Sequence, residues 1–333
     1  MRFRLRFLAY PPLALSILFL TASGKELRMP LGDLPVVDAT PVPLVPGDPA
    51  RRVNGRLRYL GGVRLTSPDL AFSGYSALSV DGDRFTLLSD RGNLVRFRMR
   101  GDWRPTDVRF ADLPGGPGVS AYKGDRDSES LAHDPATGEF WVGFEAHNAI
   151  FRFDPVFRRT QGVAFPDAMK RWPLNGGPES MVRLADGRFL VIGETARPRG
   201  GPVAQREMLL FPGDPTASGR APIHLAYVPP AGYDPSDAAL LPDGRLLVLV
   251  RRFAVRTLFT VKIELVDIRG AKAGEVLRGT EIADFSPPFQ HDNFEGLAVQ
   301  REGESLVLWM ISDDNEQWWQ QTLLLKFRLE LPG

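Results

Sequence analysis

The chain has no cysteine in 333 residues. That absence excludes disulfides, thiolate metal sites, cysteine nucleophiles and lipoprotein acylation. Nor is there an excess of charge: 41 Lys+Arg face 40 Asp+Glu, which leaves no electrostatic footprint for a nucleic-acid partner. With only four histidines, a histidine-rich metal centre is disfavoured. No stretch of useful length carries helical periodicity. The motifs G-x-S-x-G, H-E-x-x-H and G-x-x-x-x-G-K-[ST] do not occur, which disfavours common serine hydrolases, zincins and P-loop enzymes.

What is plentiful is turn chemistry, with 33 glycines and 29 prolines in a chain long enough for one large β domain. Proline crowds residues 25–53 (Pro30, Pro35, Pro41, Pro43, Pro46, Pro49). Such a segment reads as an extended leader that wraps or links, since proline suits neither helix interiors nor central strands. Ahead of it, Arg2, Arg4 and Arg6 precede an apolar run from Pro11 to Leu20 and the small residues Thr21-Ala22-Ser23-Gly24. This is the order of a secretory signal peptide, expected over 1–24. The run is short for a transmembrane helix. The expectation is a periplasmic or secreted protein without membrane attachment after cleavage, the alternative being an uncleaved anchor.

Residues 54–333 are organised by one recurring sentence, an acidic residue entering a small apolar strand. It reads Asp127-Ser128-Glu129-Ser130-Leu131, Gly177-Pro178-Glu179-Ser180-Met181, Pro235-Ser236-Asp237-Ala238-Ala239 and Asn293-Phe294-Glu295-Gly296-Leu297. A neutral copy is Gly74-Tyr75-Ser76-Ala77-Leu78. Taking Ser76, Glu129, Glu179, Asp237 and Glu295 as one register, the copies are 50–58 residues apart, a repeat period. Each continues into a glycine-bearing turn (Asp81-Gly82, Thr137-Gly138, Asp186-Gly187, Asp243-Gly244, Glu302-Gly303) suited to a hairpin. A strongly apolar second strand and an alternating third follow. The reading is an all-β β-propeller of five four-stranded blades, six if a diverged unit lies between repeats. The last repeat lacks a fourth strand, which the orphan strand around Tyr59 supplies as a latch. Closure leaves no obvious edge, so a monomer is expected.

Inner strands line the channel of a propeller, so Glu129, Glu179, Asp237 and Glu295 should converge near one mouth. A second acidic set, Asp90, Glu145, Glu194 and Asp313 with Asp314, follows the second strands, while the fourth repeat has Arg251-Arg252 there. Converging carboxylates repel unless a cation shares the site, and oxygen donors suit a hard divalent ion such as Ca²⁺. The first four acids are the candidate metal ligands. Glu295 and Glu179, with His291 as a general base, are the candidate catalytic residues. Arg126, Arg251 and Arg252, among basic neighbours that include Lys123, Arg91 and Arg197, are candidates to hold an anionic substrate. The competing reading has the acids bonding to backbone of neighbouring blades and the arginines as solvated loop charges. His133 reads as a satisfied core residue, His147 and His224 as surface or core. Trp309, Trp318 and Trp319 read as blade packing rather than a sugar platform.

Five motifs then carry a family resemblance: G-Y-S-A-L at Gly74, Ser89-Asp90-Arg91-Gly92, D-S-E-S-L at Asp127, G-G-P-E-S-M at Gly176 and N-F-E-G-L-A at Asn293. Together they resemble the phytase-like ("esterase-like activity of phytase") domain proteins of bacteria over about residues 54–330. The resemblance implies export, a propeller and hydrolysis of phosphoesters or esters. In β-propeller phytases clustered acids bind calcium ions that hold substrate phosphates and activate water. The basic complement here falls short of what a highly charged inositol phosphate calls for. The expected function is thus an exported metal-dependent hydrolase of small anionic phosphate or carboxylic esters. The alternatives are a gluconolactonase-like lactonase using one central divalent ion, and a non-catalytic periplasmic binding or scaffold propeller.

Overall fold

Burial on alternate faces decides how this chain folds. In the segment 93–99, Arg96 and Arg98 stay half-buried between the buried Val95, Phe97 and Met99, whereas 140–144 and 189–193 are buried at every residue. The first pattern belongs to a strand with one wetter face, the second to a strand covered on both. The computed structural model describes residues 26–331 and consists almost wholly of such strands. The signal peptide expected over 1–24 lies outside the described residues. Among the described residues no helix is long and apolar enough to cross a membrane.

The leader contributes β1 (Asp38–Pro41) and β2 (Val53–Asn54), and β3 spans Leu57–Thr66. Antiparallel meanders follow. The first is β4 (Tyr75–Asp81), β5 (Arg84–Ser89), β6 (Asn93–Met99) and β7 (Pro105–Asp112). The second is β8 (Ser128–His133), β9 (Phe140–Phe144), β10 (Ala149–Phe153) and β11 (Thr160–Ala164). The third comprises β12 (Pro178–Arg183), β13 (Phe189–Gly193), β14 (Arg206–Phe211) and β15 (Ile223–Val228). The fourth comprises β16 (Asp234–Leu240), β17 (Leu246–Ala254), β18 (Leu258–Val266) and β19 (Val276–Phe285), and β15 pairs edge to edge with β19. The last has only β20 (Asn293–Glu302), β21 (Ser305–Asp313) and β22 (Thr322–Leu329) of its own.

The missing strand comes from the start of the chain. β3 pairs antiparallel with β22, from Leu57 opposite Leu329 to Leu65 opposite Thr322. The first strands of successive meanders, β4, β8, β12, β16 and β20, pack side by side, and β20 returns to β4. The chain is a β-propeller. The glycines of the five hairpin turns all have φ between 56° and 88°, the conformation for which those turns select glycine.

The leader is part of this body. β1 pairs with β3, Leu44 and Val45 are buried beside Tyr59, Phe285 and Phe327, and the Tyr59 hydroxyl donates to the Val42 carbonyl. Adjacent meanders interlock through aromatic contacts such as Phe85 on Trp309 and Trp141 on Phe189. Trp309 thus packs a blade, but Trp318 and Trp319 do not. They are 90% and 50% exposed and meet each other in the loop between β21 and β22, outside the ladder that buries Trp309.

Candidate functional site

A one-residue bulge opens every inner strand. The ladder with the second strand slips between Tyr75 and Ala77, Ser128 and Ser130, Pro178 and Ser180, Pro235 and Asp237, and Phe294 and Gly296. A bulged residue leaves the pairing and its side chain is re-aimed. The residues so released are Ser76, Glu129, Glu179, Ser236 and Glu295. The repeat register read from sequence is therefore one residue off in the fourth copy: Ser236, not Asp237, matches the glutamates. Both serines tie to the next meander, Ser76 Oγ to the Ser128 carbonyl at 2.6 Å and Ser236 Oγ to the Phe294 carbonyl at 3.3 Å. Asp237 does similar work, accepting the Leu297 N–H at 2.6 Å and the Ala238 N–H at 2.7 Å. Its carboxylate is bound to neighbouring backbone rather than gathered with the other acids.

The second acidic set stands just past the pairing, where the backbone N–H of Asp90, Glu145 and Glu194 bonds the carbonyl of Gly74, Asp127 and Gly177. In the last meander Asp313 faces Asn293, and in the fourth Arg251 faces Asp234. Glu145 is fixed by the turn that precedes Glu179, its Oε1 accepting the N–H of Gly176 and, at 3.2 Å, of Gly177. A Cβ on Gly177 would lie 2.6 Å from Asn148 Oδ1, so this close approach needs glycine. Arg251 fills the gap among the acids. Its Nη2 donates to Glu194 at 2.8 Å, and its Nη1 to Asn293 at 2.9 Å and to Glu295. Asn293 Nδ2 also donates to Glu295 at 2.7 Å. On the other side Lys123 Nζ pairs with Asp90 Oδ2 at 2.7 Å, while Asp90 Oδ1 is buried with no hydrogen-bond partner. Asp314 is structural, accepting from Ser73 and from Thr322 Oγ1 at 2.9 Å.

Two triads result. Carboxylate oxygens of Asp127, Glu129 and Glu145 lie within 4.8 Å of one another, as do those of Glu145, Glu179 and Glu194. Burial, then the Glu145 charge, pushes the Asp127 carboxyl up to about 7, against the pull of Lys123. Burial and then Asp127 raise Glu129 well above the ordinary range, burial and then Glu194 raise Glu179, and burial and then Glu295 raise Asp313. Glu295 is also raised by burial, with Arg251 opposing. Burial would lower Lys123, but Asp90, Asp127 and Glu129 outweigh it and hold its pKa up. With only Lys123 and Arg251 beside them, these acids repel one another when ionised, and either protons or a cation must share the site. An all-oxygen donor set with an orphaned oxygen at Asp90 fits a hard divalent cation.

Of the residues picked out by sequence, Glu129, Glu179, Glu295 and Arg251 come together here. Asp127, which is not among the candidate ligands above, joins them, standing two residues before Glu129 in D-S-E-S-L. His291 bonds the Phe289 carbonyl through Nδ1 at 2.8 Å, and no contact to the basin acids occurs among the described residues. Arg126 Nη1 donates to the carbonyls of Pro117 at 2.6 Å and Asp125 at 2.9 Å. Strand alternation turns Arg252 away from Arg251, and its guanidinium lies 4.8 Å over the Tyr233 ring.

The fold is a β-propeller whose inner strands gather a buried cluster of carboxylates. Residues 70–316 match the family described as "Phytase-like: Esterase-like activity of phytase", and the chain belongs to it. No curated protein matches the sequence. Among solved structures, the chain is similar to XC5397 from Xanthomonas campestris, described as a gluconolactonase, at 13% identity and a TM-score of 0.42, covering 92% of this chain and 90% of that one. It is also similar to the Myceliophteria thermophila Cps50 (Swd1) β-propeller domain, at 10% identity and a TM-score of 0.33, covering 80% and 73%. Kuenenia stuttgartiensis hydrazine synthase matches at 12% identity and a TM-score of 0.36, covering 73% of this chain. The match spans 57% of the hydrazine synthase chain.

Proposed function

We propose that this protein is an exported, metal-dependent hydrolase of phosphate or carboxylic esters, that its substrate is a small anionic ester, and that its five meanders are its blades. The observation that supports this is the pair of carboxylate triads sharing Glu145. Asp127, Glu129, Glu145, Glu179 and Glu194 would hold divalent cations, Ca²⁺ being the hard ion such donors suit. A cation there would polarise the ester oxygen and make water acidic enough to attack near neutral pH. Glu295, held by Arg251 and Asn293, would accept a proton from attacking water. Lys123 offers its charge to the anionic part of the substrate.

The test is turnover of p-nitrophenyl phosphate, p-nitrophenyl acetate and δ-gluconolactone by chelated protein, then with Ca²⁺, Mg²⁺ or Mn²⁺ added. One ion should restore ester hydrolysis, and Glu129→Gln or Glu179→Gln should lower it by about 100-fold or more with circular dichroism unchanged. Rates indifferent to chelation and to both variants would remove the metal mechanism. Lactone turnover alone would shift the assignment to a lactonase, and no turnover with any ion would leave a binding or scaffold protein.

A further inference from the structure

A cleft of about 1260 Å³ opens on the outer wall between the second and third meanders, and none of its lining residues belongs to the carboxylate basin. One wall is the end of β11 and the segment running on to Trp172. The other follows β14 and carries α1 (Pro215–Ser218). That helix is pinned across the gap. Asp214 Oδ1 caps it through the Thr216 N–H at 2.7 Å and accepts Trp141 Nε1 at 2.9 Å, while Oδ2 accepts Arg152 Nη1 at 3.0 Å. The floor is equally fixed. Glu207, 7% exposed, accepts the Trp172 indole N–H at 2.7 Å and faces the His224 ring at 2.6 Å, with Phe211 buried alongside.

The rim carries Arg171, Arg197, Arg199 and Arg220. Against them stand two acids. Glu207 is already committed to Trp172 and His224, and Asp167 pairs with Lys170 at 2.5 Å. Among the described residues, Arg171, Arg197 and Arg199 make no ion pair or hydrogen bond. Phe165, 55% exposed, stands at the edge with its ring on Phe151. Surplus guanidinium at the rim, beside the aromatic rings of Phe165, Trp172 and Phe211, is complementary to an anion with an apolar body. The volume is ample, since ligand sites run to roughly 300–1,000 Å³.

We propose that this cleft binds a small organic anion, a carboxylate or phosphate carried on an aromatic or acyl body. The oxyanion is forked by rim arginines and the body lies against Phe165 and the floor. The proposal stands apart from the hydrolase reading, so its test is run in EDTA, where metal-dependent turnover is off. Calorimetric titrations would use 1-naphthoate, 1-naphthyl phosphate, the neutral 1-naphthalenemethanol, inorganic phosphate and an acidic peptide. Both naphthyl anions should saturate one site, at least about tenfold more tightly than the neutral analogue or inorganic phosphate. The double variant Arg171→Ala/Arg199→Ala should weaken them about tenfold or more, and high salt should do likewise. Phe165→Ala, which alters only an edge ring, should also weaken them and guards against a folding artefact in the double variant. The idea is overturned if the naphthyl anions do not saturate, if neither set of variants moves their affinity, or if the neutral analogue binds as well. Binding of an acidic peptide but of neither naphthyl anion would also overturn it, in favour of a protein partner.

Discussion

Arg251 stands where the other meanders place a carboxylate, and it is the cation that sits between Glu194 and Glu295. Its guanidinium forks to both and to Asn293, a geometry that a lysine ammonium cannot reproduce. Breaking a buried pair by removing one partner strands the other charge, at about 3–5 kcal/mol. Arg251→Met should therefore lower stability at pH 7 by about that amount in a urea melt. Arg251→Lys should fall between, keeping the charge but losing the fork. The loss should shrink on acidification, because a protonated Glu295 no longer needs a counter-charge. A loss under about 1 kcal/mol for Arg251→Met would mean that Glu295 already shares its charge with a proton or a cation.

The elements explain which parts of this arrangement could be read in the sequence. Hairpin glycines, apolar second strands and a last repeat short of one strand were all visible, because turn chemistry and alternation are local, and the latch of β3 on β22 followed from counting. Glu129, Glu179 and Glu295 were visible because the repeat sets each at the same point before a small apolar strand. Asp237 was misplaced because a bulge leaves no mark in the sequence, and Pro235-Ser236-Asp237 offers two polar residues for one position. Arg126 and Arg252 were misread for another reason: whether an arginine faces the channel depends on strand phase and loop path, which nearness in sequence does not encode. The leader was legible as extended chain but not as core. Leu44 has no exposed surface and packs with Tyr59, Phe285 and Phe327. Leu44→Ala should cost about 2–5 kcal/mol in a denaturant melt and loosen the latch beside it. A cost near zero would show that the leader adds no packing to the ring.

For the whole molecule, near-zero net charge conceals a separation: carboxylates gather at the inner strands while arginines rim the outer cleft. That separation fixes how stability should depend on pH. A carboxyl whose folded pKa is raised keeps its proton in the native state. Its contribution is full below the unfolded value, about 4, and is lost as pH rises through the folded value. Asp127 titrates near 7, and Glu129, Glu179 and Asp313 are raised well above the ordinary range. The surface carboxyls Asp186 and Asp243, lowered by their own arginine partners and backbone N–H groups, act in the opposite sense, and only as pH falls below about 4. Chelated protein should therefore be most stable near pH 4–5 and lose on the order of 5 °C of melting temperature towards pH 8. Added Ca²⁺ should reverse that loss, stabilising by about 2.7 kcal/mol at a hundredfold excess over its dissociation constant. The gain should be larger at pH 8 than at pH 5, because protons compete for the same oxygens. Melts at the two pH values, with EDTA and with Ca²⁺, separate the possibilities. A chelated protein that grows more stable from pH 5 to pH 8 would show that Lys123 and Arg251 alone balance the basin, leaving its acids no need of a metal.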